Sequence, residues 1–459
     1  MDNAAVTAFT RFGLGRRRGE AVPADPRAWL RQQIQQPDPT PVEGRPSCSD
    51  CLDIFYAFAD AKHEAKRDMA AQKMAGAGGG AANPQGGLND PEIDALRERL
   101  HQHIKAESND LLGNALITPT PFRERLVWFW VNHFTVADRG GPIGACTGAY
   151  VREAIRPHVT GNFRDMLLAV MRHPAMLEYL DQSKSVGPNS RAGERAHHGL
   201  NENLARECLE LHTVTPASGY SQADVTEFAR VLTGWSVKLR GDHTGFLFRP
   251  EAHEPGTRHV MGYDWPDGEA GGVALLAWLA NHPATHRHLA EKLVRHFVAD
   301  DPPPRDVAVI EAVLRRTGGD LREASLALIT LPGAWKPLTK LRTPQDYVIA
   351  TLRAVGATVE QVPNMAGIIT GLGQPFFKAP FPIGWSDRAA DWSGSEALMQ
   401  RVDFAYGVAG RAKDIDPDDM VAEQLGSLAD ADTAAAIRRA GSRQDALTLL
   451  LACPAFQRR

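Results

Sequence analysis

The run Gly199-Leu-Asn-Glu-Asn-Leu-Ala-Arg-Glu-Cys-Leu-Glu-Leu-His-Thr213 crowds ionisable and carboxamide side chains into one helical length. At about 100° per residue, Asn203, Arg206, Glu207 and Glu210 fall in one stripe, with Leu204, Cys208, Leu211 and His212 on or near the opposite side. Two carboxylates one turn apart can share a hard divalent cation. Asp181 on the adjoining loop would add oxygen, and His133 and His253 would add imidazole. Such a mixed set suits manganese, iron or zinc better than calcium, with magnesium also open. The bound ion would polarise a substrate or activate water for hydrolysis. In this reading the ligands are Asp181, Glu207, Glu210, His133 and His253. The catalytic set is Arg206, Glu207, Glu210 and His133, and Arg206 orients an anionic group. Asn201, Asn203, Ser183 and Trp385 then bind substrate.

Two other readings of the stripe stay open. Arg206 lies one turn from Glu210 and beside Glu207 and Asn203, so the group also reads as a self-neutralised network joining helices. It would serve equally as a metal-free acid/base or binding site. This helix contains neither His-Glu-x-x-His nor Glu-x-x-His. Ser183 would act as a nucleophile only if Lys184 were held unusually acidic. Cys48-Ser-Asp-Cys51 is the one close cysteine pair; with no second pair for zinc, it reads as incidental thiols in a surface turn. Between Gln374 and Trp392, prolines alternate with Phe376, Phe377, Phe381, Trp385 and Trp392. These aromatics form a ring-stacking platform, a docking face, or a clamp that holds the loop to the body.

Helices must position these groups. Asp25-Pro26, Asp90-Pro91, Thr120-Pro121 and Thr343-Pro344 each pair an N-cap with proline at the first helical position. Leu52 to about Met74 reads as a helix, followed by a mobile Gly/Ala-rich loop at 75–89. Phe122 to Phe134 is apolar on nearly every face and should be central. A helix around Tyr150–Arg156 should stop before Pro157. Asn162 opens another helix, and Ser221-Gln-Ala-Asp224 resembles a capping box, with Gly234 as the residue after the helix end. Only residues 237–261 look β-like, with Phe246-Leu-Phe248 and Arg258-His-Val-Met261 as strands about a Pro-Gly turn. The expected fold is mainly α, a large multi-helix assembly with one small hairpin. It divides into an N-terminal region (1–118), a core bearing the polar site (119–300) and a C-terminal region with the aromatic loop (301–459).

The 459-residue chain is 43% hydrophobic and 23% charged, as in ordinary water-soluble proteins, and its net charge of −4 gives no reason to expect nucleic acid or an anionic membrane as partner. It contains no 18-residue apolar run. The start has no basic segment followed by an apolar one, and five cysteines fit a reducing compartment, so a cytoplasmic location is expected.

Several blocks together resemble a bacterial family known only as number 1800 of the domains of unknown function. They include Arg11-Phe-Gly-Leu-Gly15, Phe129-Trp-Val-Asn-His-Phe134, His173-Pro-Ala-Met-Leu-Glu-Tyr-Leu-Asp181 and Gly199 to Thr213. Leu232-Thr-Gly-Trp235, Lys292-Leu-Val-Arg-His-Phe297 and Gly384-Trp-Ser-Asp387 complete the pattern. The resemblance spans essentially the whole chain and implies one long helical unit without an assigned activity. It also implies a partner, since members are often encoded beside a phosphatase-like or sulfatase-like protein. The chain would then be either a metal-dependent hydrolase or a non-catalytic accessory protein docking that neighbour. Thr213-Val-Thr-Pro-Ala-Ser-Gly-Tyr220 stands where the family has a Leu-Gly turn, and Asp181-Gln182 stands for Asp-Asn.

Overall fold

The computed structural model describes residues 1–75, 90–195, 199–241 and 244–459. Residues 76–89 of the Gly/Ala-rich run and 196–198 of the loop before Gly199 lie outside the described residues. Among the described residues the fold is mainly α, with 21 α-helices and two small two-stranded antiparallel sheets. None of these helices is long and apolar enough to cross a membrane.

The local signals act as expected at most helix starts. Asp25 accepts hydrogen bonds from the N–H groups of Arg27 and Ala28 ahead of Pro26–Gln35. Asp90, Asn162 and Thr343 cap Pro91–Ile117, Phe163–Arg172 and Pro344–Ala354 in the same way. Ser221 and Asp224 form a reciprocal capping box, and Gly234 takes φ +84° just past that helix. Pro121–His133 is buried on nearly every face. Thr120, however, makes no side-chain cap there.

Three local expectations need correction. The segment before Pro157 does not stop: Pro142–Tyr150 continues as a π-helical turn over Val151–Ile155 and a 3₁₀ turn over Arg156–His158. A tight 3₁₀ turn admits proline near its start, where the missing N–H costs nothing. The two expected strands exist but do not pair with each other. Gly245–Phe248 pairs with Trp235–Lys238, and Arg258–Val260 pairs with Tyr263–Trp265. Cys48 and Cys51 lie buried at the start of the Cys48–Ala75 helix rather than in a surface turn.

Apolar burial divides into two clusters. One gathers residues from Ala8 to Ala334, and the other joins Leu14, Leu112, Ala115 and Leu116 to residues from Tyr347 to Phe456. Trp128 and Phe376 pack against both, 5.5 Å apart at their ring centres. The Phe122 ring meets Phe297 edge-to-face at 5.8 Å, and this contact sets Pro121–His133 against Pro283–Phe297. The seam between the clusters therefore runs along the central helix.

One turn carries strain. Thr215 has φ +60° and ψ 163°. Glycine adopts that conformation freely, whereas a β-branched residue is held there only by its surroundings. Thr215→Gly should therefore raise unfolding stability by about 1 kcal/mol, measured by denaturant titration. An unchanged or lower midpoint would show that the turn is unstrained.

Candidate ligand-binding site

The carboxylate stripe does not form as α periodicity implies. Asn203–Glu207 is α-helical, but Cys208–His212 is a π turn, which puts more residues in each turn and rotates Glu210 away from its place in the stripe. Glu210 is exposed and Glu207 half-buried; burial raises the Glu207 pKa, and the Glu210 charge adds to this. Arg206 pairs with neither. Its guanidinium lies 2.8 Å from Glu202 and 3.0 Å from Gln222. Asn201 caps the helix start by accepting the Asn203 N–H at 2.9 Å, and Asn203 is exposed.

The remaining sequence candidates are dispersed. Asp181, at φ +55°, pairs with Lys184 at 2.7 Å, and both side chains are largely exposed. That bond to Asp181 raises the Lys184 ammonium, opposite to what an activating lysine needs. Ser183 receives a hydrogen bond from Ser236 at its carbonyl. His253 spends both nitrogens: Nδ1–H donates to the Thr233 carbonyl at 2.8 Å, and Nε2 accepts the Gly268 N–H at 2.9 Å. Among the described residues, no group of three or more His, Cys, Asp or Glu side chains is arranged to hold a metal ion.

His133 belongs to a buried aromatic cluster. Its ring packs on Trp130, Phe134 and Phe163, and its centre is 5.7 Å from that of His212 and 6.0 Å from that of His288. His133 Nε2–H donates to the His212 carbonyl at 3.3 Å, and His288 Nε2–H donates to the Leu211 carbonyl at 2.9 Å. The two imidazoles thus serve carbonyls at the end of the π turn.

A cavity of about 100 Å³ opens where the two apolar clusters meet. Pro121–His133 contributes Arg125, Trp128, Phe129 and Asn132 to it, and Pro283–Phe297 contributes Lys292 and His296. The start of Pro344–Ala354 adds Gln345 and Asp346, and the 374–387 loop adds Phe376, Phe377, Trp385 and Asp387. Of the residues singled out from sequence as a site, Trp385 alone lines it among the described residues. The loop is clamped by Asn132, whose carboxamide donates to the Trp385 carbonyl at 2.8 Å and accepts the Trp385 N–H at 2.7 Å. Gly384, at φ +81°, lets the loop approach so closely; a Cβ there would strike the Asn132 carbonyl and Thr135. The Trp385 and Trp392 rings then lie 5.8 Å apart.

The charged groups of the cavity are ordered by two carboxylates. Asp346 sits 3.1 and 3.2 Å from Arg125 Nη1 and 3.2 Å from Arg459 Nε. Asp387 accepts the His296 Nδ1–H at 2.7 Å, and Lys340 binds both the Asp387 carbonyl and Asp300. Burial would raise both acids, but the adjacent cations outweigh it and hold Asp346 and Asp387 well below the ordinary carboxylate range. With Asp387 ionised and His296 neutral, the imidazole proton sits on Nδ1, and Nε2 keeps its lone pair without a protein partner. Lys292, which lines the cavity, makes no hydrogen bond or ion pair with the described residues. Burial brings its ammonium down to about 8, Asp387 opposing and Arg295 adding to the effect.

Sequence reading passed over Lys292 and His296 as a pair, although their i, i+4 spacing on one helix face was visible. A second cluster was also hidden. Buried Cys48, Cys51 and Cys146 gather with His103 where three helices pack, and the bonds of Cys51 to Cys146 and His103 pull its thiol down to about 6. His103 Nε2–H donates to the Ala145 carbonyl at 2.9 Å.

The histidines predict a pH response. Burial, first of all, holds His133, His212, His288 and His296 below the ordinary 6.5, with His288 and His296 near 4 and His212 near 3. Between about pH 6.5 and about pH 4 the unfolded chain therefore binds more protons than the folded one, and stability must fall as pH falls. Each imidazole contributes up to about 1.4 kcal/mol per pH unit. Asp346 and Asp387 add a more acidic window below about pH 4. Both His212 nitrogens are buried without partners. His212→Leu should therefore leave stability at neutral pH within about 1 kcal/mol while removing one proton from the slope. Denaturant melts across this range check both points, and an unchanged slope would refute the assignment.

Comparison with curated proteins and with solved structures gives no match. Residues 7–458 match a protein-family profile described as "Protein of unknown function (DUF1800)". With nearly its whole length inside that match, the chain belongs to the DUF1800 family.

Proposed function

We propose that the cavity between Pro121–His133, Pro283–Phe297 and the 374–387 loop is the functional site. It takes a small organic molecule whose oxygen-bearing head, a carboxylate or a carbonyl, meets Lys292. The observation that carries this reading is Lys292 itself, a partly buried cation without a protein counter-ion among the described residues, lining the cavity. An uncompensated charge in such surroundings is costly unless a ligand or trapped water completes it. Trp128, Phe129, Phe376 and Trp385 provide an apolar wall for the rest of the ligand. The volume is below the roughly 150 Å³ of a cavity that admits benzene, so the ligand is ring-sized or smaller. A metal-dependent hydrolase centred on Glu207 has less support. Its proposed ligands are dispersed: Asp181 pairs with Lys184, Glu210 is exposed, and His133 and His253 are engaged by backbone groups.

Butanoate should bind the wild-type protein in ligand-observed NMR, and butylammonium should not. Lys292→Met should weaken butanoate binding by about tenfold or more, the loss expected for one charge-assisted hydrogen bond. Equal binding by both proteins would overturn the reading.

A second reading rests on the loop tip. Phe381 and Ile383 are 66% and 57% exposed, beside the clamped Trp385. Exposed apolar groups on a firmly anchored loop support the accessory role, with a phosphatase-like or sulfatase-like protein as the docking partner. Replacing both with serine should abolish co-elution with such a neighbour-encoded protein in size-exclusion chromatography while leaving butanoate binding intact. Retained co-elution would discard this second role.

A further inference from the structure

We infer that Lys292 is a nucleophile that captures a small aldehyde or ketone as an imine inside the cavity. This rests on the reading of the cavity as the ligand site and adds the class of compound it handles.

Three observations support the step. First, the Lys292 amine is committed to no carboxylate. Asp346 is taken up by Arg125 and Arg459, and Asp387 by His296. Second, His296 stands four residues further along the same helix face and lines the same cavity. Its Nδ1–H is fixed on Asp387, and its Nε2 lone pair is unpartnered. Third, aromatic side chains form much of the remaining wall, and an apolar surround favours a reaction that releases water. The lowered ammonium supports the same conclusion, because roughly one amine in ten is already neutral at pH 7. Desolvation beside another cation is a recognised way to activate a lysine amine.

The chemistry balances without an oxidant or reductant. The neutral Nζ donates its lone pair to the carbonyl carbon, and the C=O π pair moves onto oxygen. His296 Nε2 accepts a proton from nitrogen and returns it to that oxygen, giving a carbinolamine. The C–O bond then breaks as the nitrogen lone pair forms C=N and its second proton leaves. Both amine protons end in the released water.

The test uses butanal with sodium borohydride, which fixes an imine as a stable butyl amine, followed by peptide mapping. At pH 7, Lys292 should be butylated about tenfold faster than the exposed Lys62 and Lys378 of the same molecules. Its rate should level off above about pH 8. Butanoate should protect Lys292 alone. Labelling of Lys292 no faster than Lys62, with butanoate still bound, would overturn the imine inference and leave the binding site standing. If butanoate also failed to bind, both would fall. The measurement is made on wild-type protein, so no variant has to fold for it to be decisive.

Discussion

Buried guanidinium groups that bind backbone carbonyls from distant segments hold this architecture together. Arg11 is fully buried and reaches the carbonyls of Phe297 and Val298 at 3.1 and 3.2 Å, Lys336 at 3.0 Å and Arg459 at 2.7 Å. Arg353 joins Gly15, Ala115 and Leu116 in the same manner. A charge removed from water needs other dipoles around it, and several carbonyls aimed at one guanidinium supply them. The compensation is partial: burial still lowers Arg11 to about 9 and Arg353 to about 10. Removing either side chain would leave several buried carbonyls without partners, so these arginines constrain chain placement more than an apolar contact of equal size could.

The cavity follows from that arrangement. Two apolar clusters packed around separate sets of helices leave an imperfect seam, and polar groups collect where neither core is complete. The carboxylates in the seam are saturated by arginine, lysine and histidine from other segments, which leaves one amine over. An unmatched positive charge beside aromatic walls distinguishes this hollow from the other buried ion pairs. Arg156 with Glu124 and Arg152 with Glu107 are matched two-point pairs with no such excess.

Much of the secondary structure was legible because its causes are local. Asp25, Asn162, Ser221 and Thr343 act on backbone groups two or three residues away, so their types and spacing announce them. The site was not legible, for two physical reasons. The stripe through Arg206, Glu207 and Glu210 was laid out at α periodicity, and the helix changes to a π turn at Cys208 without an evident residue signal. The cavity, for its part, is assembled from Arg125, Lys292, Asp346 and Asp387, which lie far apart along the chain and become neighbours only through packing. The aromatic loop was recognised as an anchor or platform, but the group holding it, the Asn132 carboxamide, is on the central helix. Strand pairing failed similarly: the turn beside Arg258 was noticed, while its partner Tyr263–Trp265 carries no strong pattern of its own.

The guanidinium clasps also bear on kinetics. The Arg11 bond to the Arg459 carbonyl spans 448 positions, and the Arg353 bond to the Gly15 carbonyl spans 338. Contacts of that separation close large loops, which costs chain entropy before any reward arrives and places them late in folding. During synthesis Arg11 lacks its full set of partners until Arg459 has left the ribosome. The nascent chain therefore passes through a prolonged half-assembled stage, in which its early apolar surfaces are open to chaperones and to misassociation.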